Sequence, residues 1–312
     1  MTDAPALELT GLTKRFGANV AVDGVDLTVP RNRVVALVGE SGSGKTTTGL
    51  LALRLIEASA GQIRLEGVDI GALSQKELKP HRRRMQAVFQ DSYASLDPMM
   101  TLGEIIAEPL VIHRVGGAAD RRAETELWLE KVGLDGGYAS RYPHELSGGQ
   151  RQRVAVARAL IIGASVLVAD EPTSALDVSV KAQIVNLLQG LQADMGLSML
   201  FISHDLSVVR SLADEVVVML RGRIVERAPT ERLFVDARHP YTRALLDAAP
   251  VLDPKARRRR TFLSPEEIIA RIPRMRASAL YGAPPNDGPE RQLVALTHDH
   301  FVEAFVGDGA FA

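Results

Sequence analysis

The sequence predicts an α/β fold built around a parallel sheet, with antiparallel and helical parts added to it. Three observations carry that expectation. A short apolar run, RVVALVG at 33–39, ends in a glycine-rich loop, GESGSGKTT at 39–47, that leads into a helical pattern. Two further runs, SVLVAD at 165–170 and SMLFIS at 198–203, are apolar without alternation, as strands covered on both faces are. Between them, apolar residues at Ile184, Leu187, Leu188 and Leu191 have helical spacing. A strand-helix-strand crossover of that length joins parallel neighbours.

In chain order, the first elements are LELTGLTKRF and VAVDGVDLTV. They alternate apolar and polar residues and are rich in β-branched types, which predicts half-buried antiparallel strands. RVVALVG is the first strand of the parallel sheet, and TTTGLLALRLI after the loop is the helix that covers it. From about 97 to 157 the signals are helical throughout: TLGEIIAEPLVIHRV, then RRAETELWLEKVGL, then LSGGQRQRVAVARAL. This stretch is expected to be a helical subdomain inserted into the sheet domain. From about 252 the composition shifts, with KARRRR, several prolines and YGAPPNDGPE, so a separate tail is expected.

Composition narrows the function. The 312 residues include 37 Lys and Arg against 38 Asp and Glu, a formal net charge of −1, so bulk charge points to no polyanionic partner and no nucleic acid is expected. Cysteine is absent, which excludes disulfides and thiolate metal sites and leaves metal chemistry to oxygen or imidazole ligands. The amino terminus lacks the apolar region of a secretory signal. The longest apolar stretch, ALIIGASVLVA at 159–169, falls short of the ~20 residues a membrane helix needs. If a membrane matters, a partner is expected to provide it.

The chemistry begins at Gly39, where the loop fits G-x-x-x-x-G-K-[ST]. In that pattern backbone N–H groups cradle phosphates, Lys45 reaches the β and γ oxygens, and Thr46 offers a hydroxyl to Mg²⁺. The helix that follows adds its positive end. Asp170 ends a buried strand, where a carboxylate can hold the metal, and the adjacent Glu171 suits a water molecule. Two acids at such a place are costly unless something uses them. His204 follows the next buried strand, at the sheet end where ligands gather in parallel folds; standing alone it would read as a structural histidine. Gln90 ends another apolar run and could reach a metal or a water.

A second phosphate-seeking element lies far downstream. Ser147 reads as a helix N-cap, and Gly148 and Gly149 after it expose backbone N–H groups at a helix start. It falls in a different subdomain from the first loop. If the two cannot meet within one chain, a two-fold dimer in which each copy offers its glycine pair to the other's nucleotide is the natural solution.

With those residues in place, the chain closely resembles the ATP-binding subunits of ABC transporters over about 7–249. The resemblance makes GESGSGKTT the Walker A loop, Gln90 the Q-loop residue, LSGGQ the family signature, VLVADE the Walker B strand, SALD (Ser174 to Asp177) the D-loop and His204 the switch histidine. It implies an α/β P-loop NTPase (RecA-like) core with an N-terminal antiparallel β subdomain, an inserted α-helical subdomain and a C-terminal extension. The division it implies is an ATPase domain at 6–251 and an extension at 252–312. ATP would contact Gly39, Ser41, Gly42, Gly44, Lys45, Thr46 and Thr47 of one subunit, and Ser147, Gly148, Gly149 and Gln150 of its mate. Phe16 looks like the aromatic residue that stacks on adenine; without the resemblance it would read as a half-buried strand aromatic. Thr46, Gln90 and Asp170 would hold Mg²⁺, while Glu171 polarises water and His204 contacts the γ-phosphate.

A finer resemblance comes from FQDSYASLDPMMTLGEIIAEPL and RHPYTRALLDAAP, which look like the oligopeptide and dipeptide importer branch. That branch usually pairs two different ATPase subunits with two integral permeases and an external binding protein, at the cytoplasmic face of the inner membrane; the sequence leaves open whether the pair here is a homodimer or, as the branch suggests, a heterodimer. Its usual cysteine-bearing segment is missing here, so no cluster function is expected, and other small solutes such as glutathione or nickel stand behind peptides. The rival class is a soluble ABC ATPase acting on nucleic acid or ribosomes; the zinc cysteines, long heptad insertion or tandem cassettes of such proteins are not visible. An exporter would commonly be fused to membrane helices. Arg257 to Arg260 reads as a solvated run that could touch anionic headgroups. HDH at 298–300 could ligate a metal, but a solvated tail is the favoured reading.

Overall fold

The computed structural model describes residues 4–91, 93–248, 265–275 and 291–306. Strands β1 (Leu7–Phe16) and β2 (Asn19–Val29) pair antiparallel, with Leu7 opposite Val29 and Leu9 opposite Leu27. Leu7, Leu9 and Leu12 are buried from one strand and Val22, Val25, Leu27 and Val29 from the other. That one-sided burial is what the apolar-polar alternation dictates. After β3 (Val34–Val38) and α1 (Lys45–Ala52), β4 (Ala60–Leu65) and β5 (Val68–Asp69) return to this sheet, in the order β2-β1-β4-β5. Helix α2 (Gln75–Arg84) then leads into β6 (Met85–Val88); its start is closed by a reciprocal Ser74/Glu77 capping box.

The next segment is helical, with α3 (Leu102–Ile112), α4 (Ala118–Lys131), short 3-10 turns at Gly136–Ser140 and Pro143–Glu145, and α5 (Gly148–Leu160). Leu102, Ile105, Ile106, Trp128, Leu129 and Val154 pack its interior. The chain re-enters the sheet at β7 (Val166–Asp170), crosses by α6 (Val178–Met195) to β8 (Ser198–Ser203), and continues through α7 (Leu206–Leu212), β9 (Glu215–Leu220) and β10 (Arg223–Pro229).

Strands β9, β3, β8, β7 and β6 lie side by side and parallel. Every residue of β3, β7 and β8 is buried. Successive residues face opposite cores, which explains the missing alternation. Val34, Ala36, Leu167 and Phe201 pack with the helices, whereas Val35, Leu37, Val168 and Leu200 pack with the antiparallel sheet and with Leu51 of α1. Each such Val or Leu contributes roughly 1.5–3 kcal/mol of hydrophobic stabilisation. The parallel sheet is thus the middle of three layers, and its carboxyl edge gathers the loops after β3, β7 and β8.

Beyond β10 come α8 (Thr230–Asp236), α9 (Pro240–Ala248), α10 (Pro265–Ala270), β11 (Arg274–Met275), β12 (Arg291–Ala295) and β13 (Phe301–Val306). β12 and β13 form an antiparallel hairpin, and β13 pairs with β10 through Val302 opposite Glu226. The segment that composition sets apart therefore returns to the central sheet. The HDH stretch needs correction. His298 is exposed, but His300 is 2% exposed and its Nε2 lies 2.8 Å from the Glu226 carboxylate. His300 is a buried, satisfied histidine rather than part of a solvated tail, because Glu226 of β10 supplies the polar partner that burial demands. The run Arg257 to Arg260 lies outside the described residues. Among those described, no helix is long and apolar enough to cross a membrane, and no group of three His, Asp or Glu could hold a metal on its own.

Candidate active site

Residues 39–44 turn the chain from β3 into α1. Gly39 has no alternative there, since a Cβ would collide with the Met219 carbonyl of β9. The loop is tied down by Ser43 N–H donating to Glu40 O at 3.2 Å and by Gly222 N–H donating to Ser43 O at 2.8 Å. Gly44 is the N-cap of α1 and brings no side-chain cap, so the first N–H groups of the helix stay open to an anion. Ser41 and Thr46 are exposed and Thr47 is half-buried.

Lys45 is 5% exposed and folds back over the loop. Its Nζ donates to Gly39 O at 2.9 Å and to Glu40 O at 2.8 Å, with Ser43 Oγ at 3.5 Å. Burial pulls its pKa below the ordinary lysine value, against the opposing pull of Glu171, Asp170 and Glu40. Thr46 Oγ1 donates to Asp170 Oδ1 at 3.3 Å, joining the loop to the end of β7. Burial also pushes the Asp170 pKa up, helped by the Glu171 charge and resisted by the Thr46 hydrogen bond and Lys45. A buried cation and a buried anion, each disfavoured as an ion, lie within electrostatic reach of one another. Phosphate oxygens and a hard divalent cation are the groups that would satisfy both. Thr46 Oγ1 and Asp170 Oδ1 are suitable oxygen donors for Mg²⁺, which takes one or two such protein ligands beside water and phosphate.

Glu171 takes a left-handed backbone with φ 48°. Such a conformation costs a non-glycine residue on the order of 1–3 kcal/mol and persists only where neighbours impose it. Here Glu171 N–H donates to Ile202 O at 2.9 Å, and Ser174 donates to Glu171 O through its hydroxyl at 3.0 Å and its N–H at 3.2 Å. The turn swings the carboxylate across to the end of β8, where its Oε1 sits 3.0 Å from His204 Nδ1. Asp205, the next residue, caps α7 and pairs with Lys181 of α6 at 2.6 Å. Gln90 lies exposed two residues past β6, and Phe16 ends β1 with half its surface in solvent and Lys14 Nζ 5.0 Å from the ring centre.

The second phosphate-seeking element forms as a helix start. Ser147 caps α5, accepting from Gln150 N–H at 3.3 Å, while Gln150 Oε1 accepts from Ser147 N–H at 2.9 Å. The S-x-x-Q spacing is the sequence signal of this reciprocal cap. Gln150 also donates to the Tyr138 hydroxyl at 3.1 Å. Gly149 is buried, and a Cβ there would collide with Val180 of α6, so this glycine has a packing reason as well. The structure thus brings together Lys45, Thr46, Asp170, Glu171 and His204. Ser147, Gly148, Gly149 and Gln150 are placed among partners of the helical segment and of α6, and Phe16 and Gln90 at the rim of their own strands. One contact was not foreseen: Tyr241 of α9 reaches the Walker-type loop at Glu40.

Residues 22–174 match the ABC transporter family, and residues 225–274 match the oligopeptide/dipeptide transporter C-terminal region. A Brucella ovis protein named "Putative peptide import ATP-binding protein" is 52% identical over 267 residues, 84% of each chain. The glutathione import ATP-binding protein GsiA of Salmonella paratyphi A is 47% identical over 280 residues, 86% of this chain and 45% of that one. Among solved structures, a dimeric ATP-binding cassette in a post-hydrolysis state with ADP and Pi is 29% identical, with a TM-score of 0.66 over 72% of this chain and 98% of that one. The cbiO1 component of the cbiONQ ABC transporter complex of Clostridium perfringens is 26% identical, with a TM-score of 0.69 over 75% and 92%.

Proposed function

The chain belongs to the ABC transporter family, and from that premise we propose that it is the ATP-hydrolysing subunit of an importer for peptides or a related small solute. The observation that supports this most directly is the convergence of Lys45, Thr46, Asp170, Glu171 and His204 at one edge of the parallel sheet. The division that goes with it is an ATPase domain at 6–251, with a helical subdomain at about 97–157, and an extension at 252–312.

In this reading ATP lies along the loop at 39–47, with open N–H groups of the loop and α1 on its phosphates and the Lys45 ammonium on the β and γ oxygens. Phe16 offers its exposed face to adenine. Thr46, Asp170 and Gln90 would hold Mg²⁺, which when bound would neutralise phosphate charge. Glu171 accepts the proton of the attacking water, and His204, already against Glu171, holds the γ-phosphate. Such chemistry is mostly positioning and charge stabilisation. Ser147, Gly148, Gly149 and Gln150 close the site on the nucleotide of a second subunit, identical or paralogous. Two permeases and an external binding protein complete the importer, with this chain peripheral on the cytoplasmic face of the membrane.

The test is reconstitution. A tagged chain solubilised from membranes is expected to carry a permease pair with it, and vesicles holding that complex and its binding protein should take up peptide only with ATP. Uptake that survives Lys45→Ala would sink the reading.

A further inference from the structure

The loop at 39–47 is held from a direction that the reaction does not require. Tyr241, in the first turn of α9, is 2% exposed, and its hydroxyl accepts a hydrogen bond from the Glu40 backbone N–H at 2.8 Å. The same peptide unit carries the Gly39 carbonyl, which accepts from Lys45 Nζ at 2.9 Å. A peptide is a rigid plane whose N–H and C=O point in opposite directions. Tyr241 and Lys45 therefore grip the two ends of one plane, and rotating it would break both hydrogen bonds together. Burial pushes the Tyr241 phenol up to about 12, so the group facing that N–H is a neutral hydroxyl.

Tyr241 is itself fixed from behind. Its N–H donates to Nδ1 of His239 at 3.2 Å, which leaves Nε2 of a neutral ring to carry the proton. That Nε2 faces Glu303 of β13 at 3.6 Å, and both groups are almost wholly buried. Arg223 and Arg291 stand 3.8 and 3.6 Å from the same carboxylate. The backbone before Tyr241 is held by Glu226 of β10, which accepts from Arg238 N–H at 2.6 Å and His239 N–H at 3.1 Å. A line of contacts runs from the C-terminal hairpin through His239 and Tyr241 to the second residue of the phosphate loop.

We propose that Tyr241 is a positioning residue for nucleotide binding: its hydroxyl fixes the Gly39–Glu40 peptide in the plane that presents Lys45 to the phosphates, and so couples the C-terminal hairpin to ATP affinity. This rests on the reading of 39–47 as the ATP loop. Once freed, the peptide must be ordered again when nucleotide binds, which costs at most what the bond supplied, about 0.5–1.5 kcal/mol, or up to roughly two- to twelvefold in affinity.

The experiment measures the Kd of MgATP by calorimetry or with a fluorescent analogue on the full chain as wild type, Tyr241→Phe, Lys45→Ala and the double variant. Tyr241→Phe keeps the ring in its packing and loses one hydrogen bond, so its nucleotide-free melting temperature should fall by no more than about 5 °C while the Kd rises twofold or more. Hydrogen exchange of the peptide spanning Glu40 should speed up at the same time. In the Lys45→Ala background the same hydroxyl deletion should change the Kd by less than twofold, because Tyr241 acts through Lys45; a merely structural role would weaken both backgrounds alike. An unchanged Kd in Tyr241→Phe, or an equal loss in both backgrounds, overturns the proposal. Wild type and Lys45→Ala binding ATP equally would overturn the loop assignment itself, a separate result.

Discussion

The carboxylate of Glu171 lies 3.0 Å from Nδ1 of His204, across the gap between the ends of β7 and β8. The contact couples two loops of the sheet edge and depends on the left-handed turn at Glu171. A carboxylate so aimed can accept a proton from water, and a general base contributes typically about 10²–10⁴-fold. Glu171→Gln keeps shape and one acceptor and removes the base. It is expected to lower ATP turnover at least about a hundredfold, leave ATP binding in place and accumulate an ATP-bound dimer. Steady-state hydrolysis and light scattering check it, and undiminished turnover would remove Glu171 from its role.

Ser147 stands exposed at the start of α5, where its side chain closes the helix by accepting from Gln150 N–H. Ser147→Arg puts a long cation over that surface and removes the cap, at about 1 kcal/mol of stability. ATP affinity of the single chain should remain within about twofold, while the dimer that forms with ATP in the Glu171→Gln background disappears. Scattering with and without ATP decides between this and a signature helix that plays no part in dimer closure.

Asp170 is disfavoured as an anion by its burial, so its folded pKa stands above the ordinary value near 3.8. The folded state then binds the proton more tightly than the unfolded chain does. Its contribution to stability is fully present below the ordinary value and is lost as pH rises through the raised one. Above the raised value the whole cost is in force. Asp170→Asn cannot ionise and still accepts from Thr46, so the nucleotide-free variant should melt higher than wild type at pH 7. The gain should shrink toward pH 4, and Mg²⁺-dependent hydrolysis should be lost. A melting temperature that falls at pH 7 would contradict this account.

Much of this arrangement was legible because its signals are local. The phosphate loop, the Ser147 cap and the helical spacing of α6 each sit within a few residues, and the uniform apolarity of β3, β7 and β8 reports a sheet covered on both faces. The rest depends on distant partners. Glu303 is buried with Arg223, His239 and Arg291 within 4 Å of its carboxylate, reached from other strands and from the turn before α9. His300 is hidden for the same reason, through Glu226. Tyr241 meets Glu40 from 201 positions away, and no window of the sequence contains both.

Gly149 shows how one residue serves two demands. A methyl group there would run into Val180 of α6, so Gly149→Ala is expected to destabilise the chain by about 1–3 kcal/mol. Val180→Ala opens the space, and the double variant should recover most of that loss. If ATP-driven dimerisation returns along with stability, the position matters for packing alone. If stability returns and dimerisation does not, the close approach of a nucleotide to the bare backbone is the stricter requirement. Thermal melts and scattering on the three variants distinguish the two, and a fully additive double variant would argue against the collision.

The pairing of β13 with β10 bears on how this chain can be handled. Cutting before 291 would strip β10 of its neighbour on that side and leave bare amide and carbonyl groups along part of the strand, the kind of border that recruits other molecules into aggregates. The same cut would strand the Glu226 carboxylate in the interior without His300. Shortened versions designed to isolate the nucleotide-binding part should therefore keep the last hairpin, or replace Glu226 and blunt the exposed border with lysine.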